Sequence, residues 1–304
     1  MDYCGGILYN IANDVCYREG TKVVKIISDS TCDLSEELLT RYDISILPLH
    51  IILGEQEFLD GKNITPDEIY RWADANNATP KTSAPSIADA VELMEPFVRQ
   101  GMELVCFSIS ESMSTSAQVM RIAAEELDAA DRVTVIDSAN LSTGIGLLVV
   151  EAAFMAQNGK SAAEIVSAVE ALKPQVRASF VVDTLVYLYR GGRCGGLSAL
   201  LGGALRLHPE IVVEDGAMHP AKKYRGKMKN VVLSYAKDRE DDLRHARKER
   251  VFITHSGCDR EIVEDVRKYL QELDVFQEIH ETRAGGVVSS HCGPGTLGVL
   301  FIEE

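Results

Sequence analysis

The chain has 304 residues, a length that fits about two domains of roughly 150 residues each. Apolar residues make up 46% and charged residues 25%, a balance that excludes extended disorder and allows a core without disulfide or metal staples. Acidic residues outnumber basic ones 46 to 31, for a formal charge of −15, and this excludes binding driven by nucleic-acid phosphates, which runs on Lys and Arg.

Residues 1–20 read as an extension of unassigned role. They lack the basic segment and long apolar stretch of a signal peptide. No run of about 18 apolar residues marks a membrane span, which leaves room only for transient contact with a membrane surface. The apolar run 23–27 reads as a buried strand. Asp33, with Glu36 three residues on, reads as the N-cap of a helix over 34–42. Residues 44–53, rich in Ile and Leu, read as a second strand. Thr65-Pro66-Asp67-Glu68 places Thr at an N-cap, Pro at N1 and Glu at N3, which starts a helix over 68–76. Ser86 caps a helix through Val91, Met94, Phe97 and Val98 that Gly101 stops. Strands are predicted over 103–109 and 132–136, a helix over 116–130, and a long Ala-rich helix ending near Asn158. Alternating strand and helix predicts a Rossmann-like α/β domain, a parallel sheet with helices on both faces.

The second half is more mixed. Helices are predicted over 162–172, 185–189, 198–207, 229–248 and 259–273, and strands over 179–182, 211–216, 251–254, 275–280 and 297–302. The strand at 211–216 runs into a hairpin turn at Asp215-Gly216. An α+β domain is expected. Splitting the chain at Gly159 and Lys160 gives an extension 1–20, an α/β domain 21–159 and an α+β domain 160–304. Charge supports the split: residues 1–159 carry 10 basic and 25 acidic groups, and residues 160–304 carry 21 of each. The seven cysteines (Cys4, Cys16, Cys32, Cys106, Cys194, Cys258 and Cys292) are spread without C-x-x-C spacing. Neither a disulfide framework nor a zinc site is expected, and free thiols fit a reducing cytoplasm.

Two hydroxyl clusters stand out, Thr82-Ser83-Ala84-Pro85-Ser86 and the run from Ser108 to Ser116. Each precedes a predicted helix, and the second follows a predicted strand. Helix N-termini at the carboxyl ends of parallel strands offer free N–H groups, and short hydroxyls add donors without adding charge. Together they suit a carboxylate or phosphate; the same residues also serve as helix caps and loop fillers. No G-x-S-x-G marks a hydrolase nucleophile. The Gly-rich stretch 191–196 lacks the phosphate-loop pattern and reads as a tight turn, with Arg190 and Arg193 beside it as an anion or partner site. Residues 222–229 form the densest basic run, read as a solvated face or a docking patch for an acidic or phosphate-carrying partner. His291 precedes Gly293-Pro294-Gly295, a loop in which backbone approaches a ligand closely.

These segments, in this order, resemble the DegV family of bacterial fatty-acid-binding proteins. The carriers are Ser28-Asp29-Ser30-Thr31, Thr82-Ser83-Ala84-Pro85-Ser86, Asp183-Thr184-Leu185 leading to Tyr187-Leu188-Tyr189-Arg190-Gly191-Gly192-Arg193, Asp215-Gly216, and His291 with Gly293-Pro294-Gly295-Thr296-Leu297-Gly298. The resemblance runs from about Val23 to the end of the chain. It implies a two-domain α/β protein holding one long-chain fatty acid, its carboxylate met by hydroxyls and its chain in an apolar tunnel. It implies no catalysis and no cofactor, the bound fatty acid being the ligand. By position, Thr82, Ser114, Thr115 and His291 would hold the carboxylate, supported by loops containing Ser28, Asp29, Ser30, Ser83, Ser86 and Gly293. Arg190, Arg193 and Arg225 match basic positions facing a separate ATP-binding fatty acid kinase subunit or the acyl phosphate it makes. Family members usually follow the Ser114 position with Gly, Thr and an aromatic; here Thr115, Ser116 and Ala117 stand there, and Thr would be strained in a left-handed conformation. His208-Pro209-Glu210 replaces the usual Lys-Pro-Ile. The alternative readings are a serine-dependent acyl hydrolase acting through Ser114 and a lipid sensor without a kinase.

Overall fold

The computed structural model describes residues 7–10, 15–18, 23–193 and 207–304. Within the extension, β1 (Ile7–Asn10) and β2 (Val15–Arg18) pair as an antiparallel hairpin, which the sequence did not announce.

The strand β3 (Val24–Asp29) is buried beyond Val24. A single 3-10 turn over Ser30–Cys32 follows and ends at Asp33, which has φ +51. Asp33 is therefore not the expected N-cap. Ser35 caps α1 (Glu36–Arg41) by accepting from the Leu38 N–H. The expected strand over 44–53 is two strands. β4 (Ser45–Leu47) runs parallel to β3; after Pro48, which has no N–H to continue a ladder, β5 (His50–Leu53) enters another sheet with β6 (Gln56–Leu59). The helix α2 (Pro66–Asn76) starts at Thr65 with a complete capping box, as predicted. The short β7 (Lys81–Ser83) pairs with β5, so Thr82 and Ser83 lie in a strand, and Ala84 and Pro85 connect it to the cap Ser86. α3 (Ile87–Arg99) starts at Ser86, again with a capping box.

β8 (Glu103–Ser108), α4 (Ser116–Glu126), β9 (Val133–Asp137) and α5 (Thr143–Gln157) follow close to expectation. The main sheet has the order β4-β3-β8-β9, all parallel. Neighbouring residues alternate between its faces. Ile27, Leu104 and Cys106 pack with Met94 and Met120 of α3 and α4, whereas Ile26, Val105 and Phe107 pack with α5. α6 (Ala162–Leu172) lies beyond the Gly159 loop and also packs on α5, β8 and β9.

The second sheet has the order β12-β11-β10-β15-β13-β14. Its strands are β10 (Val176–Val181), β11 (Leu207–Glu214), β12 (Ala217–Arg225), β13 (Arg250–His255), β14 (Glu278–Arg283) and β15 (Leu297–Ile302). Only β13 and β14 pair in parallel. The helices are α7 (Val186–Arg190), α8 (Met228–Asp238), α9 (Glu240–Arg244), α10 (Arg260–Leu273) and α11 (Gly286–Cys292). The single helix expected over 229–248 is broken at Arg239, whose side chain turns inward to pair with buried Glu210. The strand expected over 275–280 lies at Glu278–Arg283. The helix expected over 198–207 falls outside the described residues except at Leu207, which opens β11. The loop expected at His291 is the last turn of α11.

One face of this sheet is covered by α8 and α10. The other packs on α5, which is buried at every position from Thr143 to Ala153. A helix apolar all round belongs in a core, and here it sits between the two sheets, in contact with β3, β10 and β15. Gly146 permits this: a Cβ there would come within 2.9 Å of the Cys32 carbonyl oxygen.

Candidate functional site

Thr82 sits in the middle of β7, opposite Ile51 of β5. Its Oγ1 lies 2.8 Å from Nε2 of His291. Burial, reinforced by the nearby Arg193 cation, pushes the His291 imidazole down to about 4, so the ring is neutral at pH 7. Its Nδ1 is buried with no hydrogen-bond partner. Which of the pair donates is set by the imidazole tautomer. In the tautomer with the proton on Nε2, the ring donates to Thr82 and leaves the Thr82 hydroxyl proton for a ligand. Gly191 makes room for the ring; a Cβ there would meet Nδ1 at 2.2 Å.

This pair lines a cavity of about 530 Å³, mouth included. Ser83, Ser114 and Arg193 also reach it. The remaining walls are apolar, among them Leu49, Ile109, Met113, Leu141, Met218 and Val288. A second space of about 320 Å³ shares the walls Leu141, Val288 and Cys292 with the first and is also lined by Phe180, Ala284 and Leu300. The Arg193 guanidinium donates to the carbonyls of Gly191 (2.8 Å) and Met113 (3.2 Å).

The structure thus brings Thr82, Ser83, Ser114, His291 and Arg193 together from four separate segments. It does not bring the other named residues into the cavity. Thr115 is exposed at the N-cap of α4 with no capping bond. Its φ of −91 removes the strain expected from replacing a glycine. Ser28 is buried and donates to the Asp29 carbonyl, and Ser86 is the cap of α3. Gly293 has φ +74 and abuts Tyr187, whose ring a Cβ would meet at 2.5 Å. Arg190 and Arg225 are exposed on α7 and β12.

Asp29 and Ser30 act one step removed. Asp29 accepts from the N–H of cavity residue Ile109 at 2.9 Å and from the Thr31 hydroxyl at 2.5 Å; burial raises its pKa. Ser30 donates to Asp60 at 2.9 Å and accepts from the N–H of cavity residue Leu49 at 3.1 Å. The serine run before α4 is largely spent elsewhere. Ser110 (2.7 Å) and Ser112 both donate to the carbonyl of Gly216, fastening the tip of the β11–β12 hairpin and with it Met218. Met218, Leu188 and Gly191 were missed in the sequence, where apolar lining looks like any core residue and a glycine's neighbour is invisible.

Among the described residues there is no cluster of three or more metal-ligating side chains, and no helix is long and apolar enough to cross a membrane.

Two packed sheets around a buried helix, with a mainly apolar cavity lined in part by neutral hydroxyl and imidazole groups, define the class of the protein. Residues 23–304 match the family model described as "Uncharacterised protein, DegV family". The chain belongs to the DegV family. A DegV domain-containing protein of Deinococcus radiodurans is 33% identical over 278 residues, covering 91% of this chain and 98% of the relative. The fatty-acid-binding DegV family protein from Thermus thermophilus superposes with a TM-score of 0.85 at 29% identity, covering 92% of this chain and 99% of that one. The stearic acid-binding protein from Eubacterium ventriosum gives 0.81 at 32% identity, covering 92% and 98%. The Streptococcus pneumoniae fatty acid kinase (Fak) B3 protein loaded with linoleic acid gives 0.79 at 22% identity, covering 93% and 100%, and shares the fold.

Proposed function

We propose that the protein binds one long-chain fatty acid and offers its carboxylate to a separate ATP-using kinase subunit. The carboxylate meets Thr82, Ser114 and His291; the chain runs past Ile109, Leu141 and Val288 toward Phe180 and Leu300. The observation that carries this reading is the Thr82–His291 pair in the wall of a mainly apolar cavity that Ser114 also lines. A buried carboxylate needs donors. Here they are neutral, and Arg193, the one cation lining the cavity among the described residues, already donates to two carbonyls. The anion is held without being neutralised, which suits later transfer of a phosphoryl group to it. Burial of about ten methylenes contributes roughly 8 kcal/mol before ordering costs.

The geometry supports binding without hydrolysis. A serine hydrolase needs an imidazole on its serine and a carboxylate on the other ring nitrogen. His291 is bonded to Thr82, and its Nδ1 meets no partner. The ligand itself is the only small molecule this reading calls for. Buried thiols Cys32, Cys106 and Cys292, each pushed up to about 12, fit residence in the reducing cytoplasm. The kinase reading rests on the exposed Arg190 and Arg225 and on the balanced charge of residues 160–304, against the net acidity of residues 1–159. A docking kinase then meets the less acidic side.

Mass spectrometry of lipid extracted from the purified protein tests the binding reading. A fatty acid is expected in the extract; none there, and no uptake of added palmitate, refutes it. Adding an ATP-binding fatty acid kinase subunit with ATP tests the second part, with acyl phosphate as the expected product. No acyl phosphate from a loaded protein leaves a lipid carrier or sensor without a kinase.

A further inference from the structure

The polar residues of the cavity come from distant parts of the chain. Thr82 and Ser114 precede residue 159, whereas His291 rides on α11, the connection between β14 and β15 of the second sheet. Something must hold these half-sites in register.

The C-terminal end of α11 is tied to its own sheet. Ser256 donates to the Gly293 carbonyl, and the Thr296 hydroxyl donates to the Cys292 carbonyl at 3.0 Å. The N-terminal end is tied across the boundary. The Gly285 N–H donates to Asp33 Oδ1 at 2.7 Å, and the Gly286 N–H donates to Asp60 Oδ1 at 2.7 Å. These are N–H groups that a helix start leaves without partners, at the positive end of its dipole. The acceptors are fixed in turn. Ser142 donates to Asp33 Oδ2 at 2.5 Å, and Ser30 donates to Asp60 Oδ2 at 2.9 Å. Asp33 and Asp60 are only 6% and 2% exposed. With all four oxygens engaged by protein donors, neither carboxylate has an oxygen to spare for a ligand. The approach also demands a residue without a side chain, since a Cβ on Gly286 would meet Ile51 at 2.5 Å and Ile69 at 2.8 Å.

We propose that Asp33 and Asp60 are positioning residues of the binding site, holding the start of α11 so that His291 meets Thr82 across the boundary. What the site binds rests on the fatty acid reading; the register is a property of the unliganded protein and is tested there.

The test is the titration of the His291 imidazole, followed by NMR of histidine-labelled protein without ligand, together with palmitate affinity. In Asp60→Ala the helix start is released and water reaches the ring. Its titration is expected to move up by about one pH unit or more, toward that of an exposed histidine, with palmitate affinity down about tenfold. Asp60→Asn keeps an oxygen for Gly286 and is expected to restore both. A folded Asp60→Ala protein with lowered melting temperature but an unchanged His291 titration overturns the proposal. Should Asp60→Ala not fold, hydrogen exchange in the wild-type protein decides: the Gly285 and Gly286 amides are expected to be protected about a hundredfold or more over exposed loop amides, and exchange as fast as a loop overturns it. No palmitate binding by the wild-type protein, with the His291 shift still seen in Asp60→Ala and reversed in Asp60→Asn, refutes the fatty acid reading and leaves the positioning role intact.

Discussion

Replacing Asp33 by asparagine is expected to stabilise the protein at neutral and alkaline pH. Burial, with the charges of Asp60 and Asp29 close by, pushes the Asp33 carboxyl up to about 8 from its ordinary 3.8. Between those values the folded chain holds a proton that the unfolded chain has released. Stability therefore falls as pH rises from about 4 to about 8. Each pKa unit is worth about 1.4 kcal/mol, so the penalty at pH 7 is on the order of 4 kcal/mol and is near zero at pH 4. The side chain introduced by Asp33→Asn reproduces the protonated acid: its oxygen accepts from Gly285 and its amide donates to Ser142, whose hydroxyl donates to the ionised carboxylate and turns to accept from the protonated one. Denaturant unfolding at pH 4.5 and pH 8 checks this. The two proteins should nearly coincide at the lower pH and separate at the higher, with the Asp33→Asn protein the more stable. A difference that does not change with pH, or a variant less stable at pH 8, refutes the reasoning.

Thr82→Ala removes one donor to a charged ligand, worth about 1.5–3 kcal/mol; calorimetric titration with palmitate should show about tenfold or more weaker binding, and unchanged affinity would remove Thr82 from the site. His291 has its pKa depressed in the fold, so its contribution to stability is present above the ordinary histidine value of 6.5 and is lost as pH falls toward 4. His291→Gln should flatten that dependence in acid unfolding curves, by on the order of 3 kcal/mol at pH 4. Gly191→Ala drives a methyl into the His291 ring and is expected to cost about 1–3 kcal/mol in denaturant melts, with weaker palmitate binding. Gly216→Ala puts a Cβ 2.7 Å from Ser110 Oγ at a backbone φ of +76; it should speed the release of bound fatty acid in stopped-flow experiments, and an unchanged release rate would show that the hairpin tip does not retain the ligand.

Elements with strong local punctuation were legible in the sequence. Thr65, with Pro66 and Glu68 after it, and Ser86 start helices where they were expected to. What failed was decided by distant partners. Asp33 has the spacing of a cap, yet it is claimed by Ser142 and Gly285, over a hundred residues away in sequence. The run over 44–53 is uniformly apolar, so nothing local says that it changes sheets at Pro48. His291 was found as a residue but not as part of a helix, because Gly285 and Gly286 at its start look like a loop until Asp33 and Asp60 are seen to fill the helix end. The hydroxyl clusters were half right. Thr82 and Ser114 reach the cavity, while Ser110 and Ser112, chemically the same, hold a hairpin instead.

The placement of α5 has a consequence for how the molecule breathes. Because it is buried between both sheets and one apolar cluster runs from Ile26 through Ile145 to Leu300, the two sheets cannot part like a clamshell without tearing the core. They should melt together in one cooperative transition. Traffic of a long chain in and out must then run on small local openings at the cavity mouth, such as the release of one hairpin tip from two serine hydroxyls.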